Sequence, residues 1–241
     1  ETESVDTSVT LQQLVATPTW DAKNANPPIS ARRAIELAND AALKIRVWNE
    51  SSWDFQEISL TRIYTGDTDG EHWCWQARYS GGVDGRTIKS CEIWVLLDGS
   101  VITPKEIQML ESTFERQDYQ RSELGYGGSI RIKNETDDSF NQSYHGLETE
   151  VQLEQLEVCP RWRAHATNPP VSACDAIRLA DAAIPTLSFP GPDGDWHREA
   201  ATLRPVRSYW CWIVSYSESE SSRLAGGFNI MVLMDGSVVK P

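Results

Sequence analysis

The chain has 241 residues, 40% of them hydrophobic, and 22 Lys and Arg stand against 35 Asp and Glu for a formal net charge of -13. That is enough apolar material for a buried core and enough length for two ordinary domains. Acidity on this scale argues against nucleic acid or an anionic membrane surface as partner, since both select for clustered Lys and Arg, and no apolar run approaches the roughly 20 residues needed to span a bilayer.

Taken in order, the chain opens on a polar stretch, ETESVDTSVT, that lacks Met and reads as a trimmed mature end or a cloning boundary. Beyond it the sequence begins to repeat. Leu11, Gln13 and Leu14 recur as Leu153, Gln155 and Leu156, and Trp20 recurs as Trp162, at an offset of 142. The same offset aligns NPPIS (26–30) with NPPVS (168–172), and Ala34, Ile35, Leu37 and Ala38 with Ala176, Ile177, Leu179 and Ala180. Trp53 matches Trp196 and Leu60 matches Leu203 at an offset of 143, and two further motifs, WCW and DGSV, align at 137. Matches this dense, in the same order, read as a tandem duplication: repeat 1 over residues 1–104, repeat 2 over residues 151–241.

Within each copy a helix comes first. Ser30 and Ser172 are natural N-caps, and the Pro-Pro before them keeps the entry extended. Ala34, Ile35, Leu37, Ala38, Ala41 and Ala42 follow a helical period, with small residues that allow close approach to a sheet. Pro185 ends the second helix. Strands follow, over residues 55–64, 72–79 and 88–97 in repeat 1 and 200–206, 209–216 and 227–234 in repeat 2. Each set closes with Asp-Gly, a signal for a two-residue hairpin, and a short return strand. The expected fold is α+β: two tandem repeats, each with one helix packed on an antiparallel sheet of about four strands. Residues 105–150 read as a linker. Thr103, Pro104 and Glu106 form a capping box for a helix over about 104–121, and a polar, Gly-rich segment follows with a short strand at 130–132.

Strand alternation puts Trp73, Trp75, Ala77 and Tyr79 on one face, matched by Trp210, Trp212, Val214 and Tyr216. Aromatic and β-branched residues dominate sheet cores, so this face is expected beneath the helix, together with Cys91, Ile93 and Val95. The opposite face is apolar too, through Trp94, Leu96, Met231 and Leu233, and therefore needs a cover. The other repeat, the 104–121 helix or another chain would serve, and these four residues form the candidate binding or inter-repeat surface. Five cysteines follow neither a C-x-x-C nor a zinc spacing. Cys74 and Cys91 point to opposite faces, which argues against a disulfide between them. Cys159 and Cys174 flank the second helix's start and form the candidate disulfide.

The chain has no G-x-S-x-G, H-E-x-x-H, P-loop or dinucleotide fingerprint. Its four histidines are scattered, and His72 becomes Tyr209 in the second copy. Asp98 and Asp235 are explained by turn chemistry. The acidic loops Asp67-Thr68-Asp69-Gly70-Glu71 and Asp193-Gly194-Asp195 place oxygens at alternate positions but lack the downstream bidentate Glu of a calcium loop. No catalytic residue, metal or cofactor is therefore expected.

The succession I-S-x-x-x-A-I-x-x-A, then W-x-W/V-x-x-x-Y, then V-L-x-D-G-S-V resembles the PepSY-type domain of peptidase propeptides and bacterial cell-envelope proteins. The resemblance rests on ISARRAIELA and VSACDAIRLA at the start and on VLLDGSVI and VLMDGSVV at the close. It covers about three-quarters of the chain and implies a non-enzymatic role, inhibiting or chaperoning a peptidase or binding in the envelope. The expectation is an exported bacterial protein, secreted, periplasmic or on the cell surface. It would bind a peptide or protein through a sheet edge or the cleft between repeats, with the repeats in mutual contact or the chain paired as a homodimer. The alternative from a different class is glycan binding through exposed tryptophans.

Overall fold

A computed structural model describes residues 3–5, 7, 9–21, 26–45, 53–63, 72–83, 87–104, 130–133, 149–163, 167–187, 196–218 and 227–241. In chain order the elements are β1 (Glu3–Val5), α1 (Leu11–Val15), α2 (Ala31–Ala42), β2 (Trp53–Ile63), β3 (His72–Val83), β4 (Thr87–Leu96), β5 (Val101–Ile102), β6 (Ile130–Lys133) and β7 (Thr149–Gln152). There follow α3 (Leu153–Glu157), α4 (Ala173–Ala183), a 3-10 turn (Ile184–Thr186), β8 (Trp196–Val206), β9 (Tyr209–Glu218), β10 (Gly227–Leu233) and β11 (Val238–Val239). The fold is α+β, with one large sheet and few helices.

Nine strands make that sheet, in the order β1-β4-β3-β2-β8-β9-β10-β11, with β5 also alongside β4. All pairs are antiparallel except β1 with β4. The halves of the chain thus join edge to edge, β2 against β8, and form one continuous sheet.

The seam has a symmetry that relates β2–β5 to β8–β11. Ile58 pairs with Leu203, Ser59 with Thr202, Leu60 with Ala201 and Thr61 with Ala200. Because Leu60 and Leu203 are counterparts at offset 143, this register exchanges the two strands about the Ser59–Thr202 pair. Both strands also carry a register shift at the same relative place, between Phe55 and Glu57 in β2 and between Arg198 and Ala200 in β8. The extra residue of each β-bulge is Gln56 or Glu199, again 143 apart, and it lets Phe55 and Arg198 face the helices while Glu57 and Ala200 face away.

On one face lie α2 and α4. Ser30 caps α2, accepting from the Arg33 N–H (3.3 Å), and Ser172 caps α4, accepting from the Asp175 N–H (3.1 Å). Each helix turns small residues toward the sheet: Ala31, Ala34, Ile35, Ala38, Ala41 and Ala42 are buried on α2, and Ala173, Ala176, Ile177, Ala180 and Ala183 on α4. The indoles supply the bulk that these helices lack. Trp73, Trp75 and Trp212 are at most 1% exposed, and Cys91, Ile93 and Val95 lie in the same cluster. Trp75 Nε1–H donates to the Ile29 carbonyl and Trp212 Nε1–H to the Val171 carbonyl, each at 2.8 Å. The tryptophans therefore fix the chain just before each N-cap. Tyr79 and Tyr216 clamp the helices further along, donating to Asn39 Oδ1 and Asp181 Oδ1, each at 2.7 Å. Trp75 and Trp212 approach to 6.5 Å between ring centroids, so one core runs beneath both helices.

Three expectations need correction. One helix per half was expected, yet each half carries a second, five-residue helix, α1 or α3, too short to register as a periodicity. The Asp-Gly hairpins are three-residue loops. Leu96 N–H donates to Ser100 O and Gly99 N–H to Leu96 O (2.8 and 2.9 Å), a geometry repeated at Leu233, Gly236 and Ser237. Only the glycines, Gly99 and Gly236, have positive φ there (89° and 88°), as a type I turn with a glycine bulge requires. No disulfide joins Cys159 and Cys174. Cys159 Sγ instead faces the Gln155 carbonyl at 3.0 Å, closing the end of α3. The helix expected over about 104–121 lies outside the described residues from Lys105 onward, as do the acidic loops 67–71 and 193–195. The strand expected at 130–132 is β6, which pairs in parallel with β7.

Candidate functional site

The sheet's other face decides what remains open. Its apolar flanks are covered by the chain's own short helices. In the first half Leu96 (2% exposed) and Cys74 (0%) pack with Leu14 of α1, ringed by Val9, Ile63, Trp94 and Ile102. In the second half Met231 and Leu233 (both 0%) share a buried cluster with Val151, Leu156, Cys159 and Cys211, where β7 lies against β10 and β11. The covers are counterparts. Thr7 Oγ1 donates to the Glu92 carbonyl and Thr149 Oγ1 to the Asn229 carbonyl, two bonds related by the offsets of 142 and 137. Trp94, Leu96, Met231 and Leu233 therefore serve as seats for α1 and α3 with their flanking segments. Among the described residues the halves meet elsewhere, along the β2–β8 seam and through the Trp75–Trp212 and Phe55–Trp210 ring contacts.

Between the two covers the middle of the face carries polar side chains, readable as three rows across the strands. The first is a charge ladder: Glu92 on β4, Arg78 on β3, Glu57 on β2 and Arg204 on β8. Arg78 binds Glu57 Oε1 at 2.9 Å and Glu92 Oε1 at 3.1 Å, and Arg204 Nε lies 3.7 Å from Glu57 Oε2. The middle row holds Gln76, Ser59 and Thr202, with Ser59 Oγ 2.7 Å from Thr202 Oγ1. The third row holds Thr61, Ala200 and Ser215, and Thr61 Oγ1 donates to Gln76 Oε1 at 3.3 Å.

Symmetry about Ser59–Thr202 exchanges the first row with the third. Glu57 corresponds to Ala200, Arg78 to Ser215, Glu92 to Asn229 and Arg204 to Thr61. The backbone is duplicated and the charge is not. One side of the strip is ionic and bulky; the other is small and neutral. In the ladder the guanidinium groups are outermost: the side chains of Arg78 and Arg204 are 54% and 49% exposed, that of Glu57 only 15%.

Other candidate chemistry is taken up by structure. Asp98 accepts from the Ser100 amide and hydroxyl (2.8 and 2.9 Å), and Asp235 from those of Ser237 (2.9 and 2.6 Å). Burial would raise the Asp235 carboxyl, but these donors outweigh it and hold the group below its usual range. Burial pushes the Cys74 and Cys211 thiols up to about 12 and the Cys91 thiol to about 11, which keeps them protonated and unreactive at neutral pH. Among the described residues no group of three or more His, Cys, Asp or Glu side chains is placed to hold a metal ion, and no helix is long and apolar enough to cross a membrane. The buried tryptophans remove the exposed aromatic strip that glycan binding through Trp73 and Trp75 needs.

Glu57, Arg78, Ser59, Thr202 and Arg204 are not singled out by the sequence. Alternation assigns each of them to a face, but their convergence depends on a pairing between strands 143 residues apart, and no local pattern encodes that. Comparison with protein-family models, with curated proteins and with solved structures finds no match.

Proposed function

We propose that this chain is a non-enzymatic, exported binding protein made of two tandem α+β repeats similar to PepSY domains, and that it holds a peptide or protein segment on the polar strip between α1 and α3. The observation that carries the reading is the loss of chemical symmetry on a backbone that keeps its symmetry. A sheet that only had to be solvated would have no use for an ionic row facing a small, neutral one. Both flanks are occupied by the chain's own helices, so among the described residues the strip is the part of this face left for a partner. It lies over the seam between the halves, and the stretch of sheet from β3 to β9, about 14 Å at roughly 4.8 Å per strand, has room for one extended chain. Glu57 and Glu92, the carboxylates of the ladder, are both tied to Arg78, which suits them to recognition better than to acid–base chemistry.

Selection of random twelve-residue peptides on the immobilised full chain tests this. Peptides should be recovered, and their binding should be lost when Ala200→Arg fills the neutral row, with the circular dichroism of the variant unchanged. Recovery of no peptide, or binding indifferent to Ala200→Arg, would overturn the reading.

A further inference from the structure

We propose that Arg204 is the carboxylate-receiving residue of this strip, and that the segment bound there presents an Asp or Glu side chain or a free C-terminus to it. The inference rests on the strip being a polypeptide-binding surface and adds what that surface recognises.

The argument starts from how the ladder shares its charges. Arg78 is saturated. One of its terminal nitrogens meets Glu57 at 2.9 Å, and its other terminal nitrogen and Nε both reach Glu92 Oε1 (3.1 and 3.4 Å). Glu57 is spent largely on that pair. Arg204 is left with a single approach, Nε to Glu57 Oε2 at 3.7 Å, which is too long for a hydrogen bond. Its two terminal nitrogens have no partner among the described residues. Glu57 thus approaches the guanidinium only at Nε, and with the side chain 49% exposed the terminal fork stays available in the planar, two-donor geometry that matches a carboxylate.

The surroundings favour the same occupant. The Thr202 and Ser59 hydroxyls lie in the adjoining row, able to bond a peptide backbone. Thr61, Ala200 and Ser215 leave the floor low on the far side of the axis, where an extended chain needs room. The net charge of -13 repels a uniformly acidic partner. A single carboxylate flanked by basic residues meets both conditions: the fork takes the carboxylate, and the net negative charge of the chain favours the flanks.

The peptides selected on the full chain carry the test. They should share an Asp or Glu at a fixed position with Lys or Arg beside it. Synthetic versions should bind Arg204→Gln about tenfold more weakly or worse, as expected for losing hydrogen bonds to a charged group. Arg33→Gln, on the helix-covered side, should change nothing. Replacing the shared acid by its amide tests the side-chain source, and amidating the C-terminus tests the terminal one; one of the two should reproduce the loss. Peptides without a shared acid, or equal binding by Arg204→Gln, would overturn the assignment of Arg204 and leave the strip as a binding surface. Recovery of no peptide at all would overturn both.

Discussion

The hydroxyls of Ser59 and Thr202 lie 2.7 Å apart, and this contact is the centre about which β2 and β8 exchange places. The two residues are 143 apart in sequence and are each other's counterparts, so the molecule joins its halves by pairing one strand with its own copy. Removing either hydroxyl should cost little by itself, because the site is half-buried and water can replace the lost partner. The pair should still be coupled. A cycle of Ser59→Ala, Thr202→Val and the double variant should give a coupling of about 0.5–1 kcal/mol in urea denaturation. Strict additivity would show that the hydroxyls do not meet in solution.

The two indole donors make a second comparison between the halves. Trp75→Phe and Trp212→Phe each delete a 2.8 Å bond, to Ile29 O or Val171 O, and leave a gap beneath an alanine-lined helix. Each should cost about 1–3 kcal/mol, and the two costs should agree within about 1 kcal/mol because the environments are counterparts. Denaturant midpoints for the pair would check this. A large cost in one half and none in the other would mean that the indoles do not play matching parts.

Much of this architecture is legible in the sequence, and the limit is physical. Ser30 and Ser172 announce their helices because capping is local chemistry, and WCW announces its strand because a period of two needs only a few residues. The Asp-Gly pairs mark their turns correctly but not the loop length, since both candidate turns accept the same two residues and differ only in whether Asp needs positive φ. Leu14 and Leu156 are visible as a repeated pair without revealing that they cap the far face of the sheet. The ladder Glu92–Arg78–Glu57–Arg204 is invisible, because its order comes from strand neighbours that no local pattern specifies.

Gly99 and Gly236 should be intolerant of side chains for a reason of backbone conformation alone. A Cβ on Gly99 would meet Ile29 Cδ1 at 3.8 Å, and one on Gly236 would meet Leu179 Cδ1 at 3.8 Å, both ordinary contacts. The φ values of 89° and 88° remain unfavourable for any L-residue. Gly99→Ala and Gly236→Ala should therefore each cost about 1–2 kcal/mol, with Asn better tolerated than Ala at both places. Thermal melts of the four variants would decide it, and an Ala variant as stable as the parent would contradict the turn geometry.

Alkaline pH should unfold the protein through its buried thiols and phenols. Burial raises Cys74 and Cys211 from 9.0 to about 12 and Cys91 from 9.0 to about 11, and it also raises Tyr79 and Tyr216 above their usual value. A group whose pKa is higher in the folded state than in the unfolded one stabilises the fold fully below the unfolded value. That contribution is lost as pH rises through the folded one. Stability should hold through neutral pH and fall from about pH 9 toward about pH 12, followed by tryptophan fluorescence. Iodoacetamide at pH 8 should label half-exposed Cys174 and spare Cys74, Cys91 and Cys211 until denaturant is added. An unfolding midpoint below pH 9 would contradict the burial of these groups.

Glu57 should matter more through its geometry than through its energy. Among the described residues it is the one carboxylate that touches arginines from both halves, at 2.9 Å from Arg78 and 3.7 Å from Arg204, so it draws two exposed side chains toward the seam. Both guanidinium groups are about half exposed, which screens the attraction, and exposed ion pairs contribute about 0.2–1 kcal/mol. Glu57→Gln should thus lower stability by an amount in that range at low salt, and the difference from the parent should shrink toward zero in 0.5 M NaCl as the charges are screened. The larger effect should be on order. Without Glu57 nothing among the described residues holds the Arg204 head, whereas Arg78 keeps Glu92. Nuclear magnetic resonance of the arginine side chains should show the Arg204 Nε–H signal sharpening or exchanging faster in Glu57→Gln, with that of Arg78 changing less. Equal loosening of both would mean that the ladder acts as a single cooperative unit and not as a paired arginine with an under-compensated neighbour.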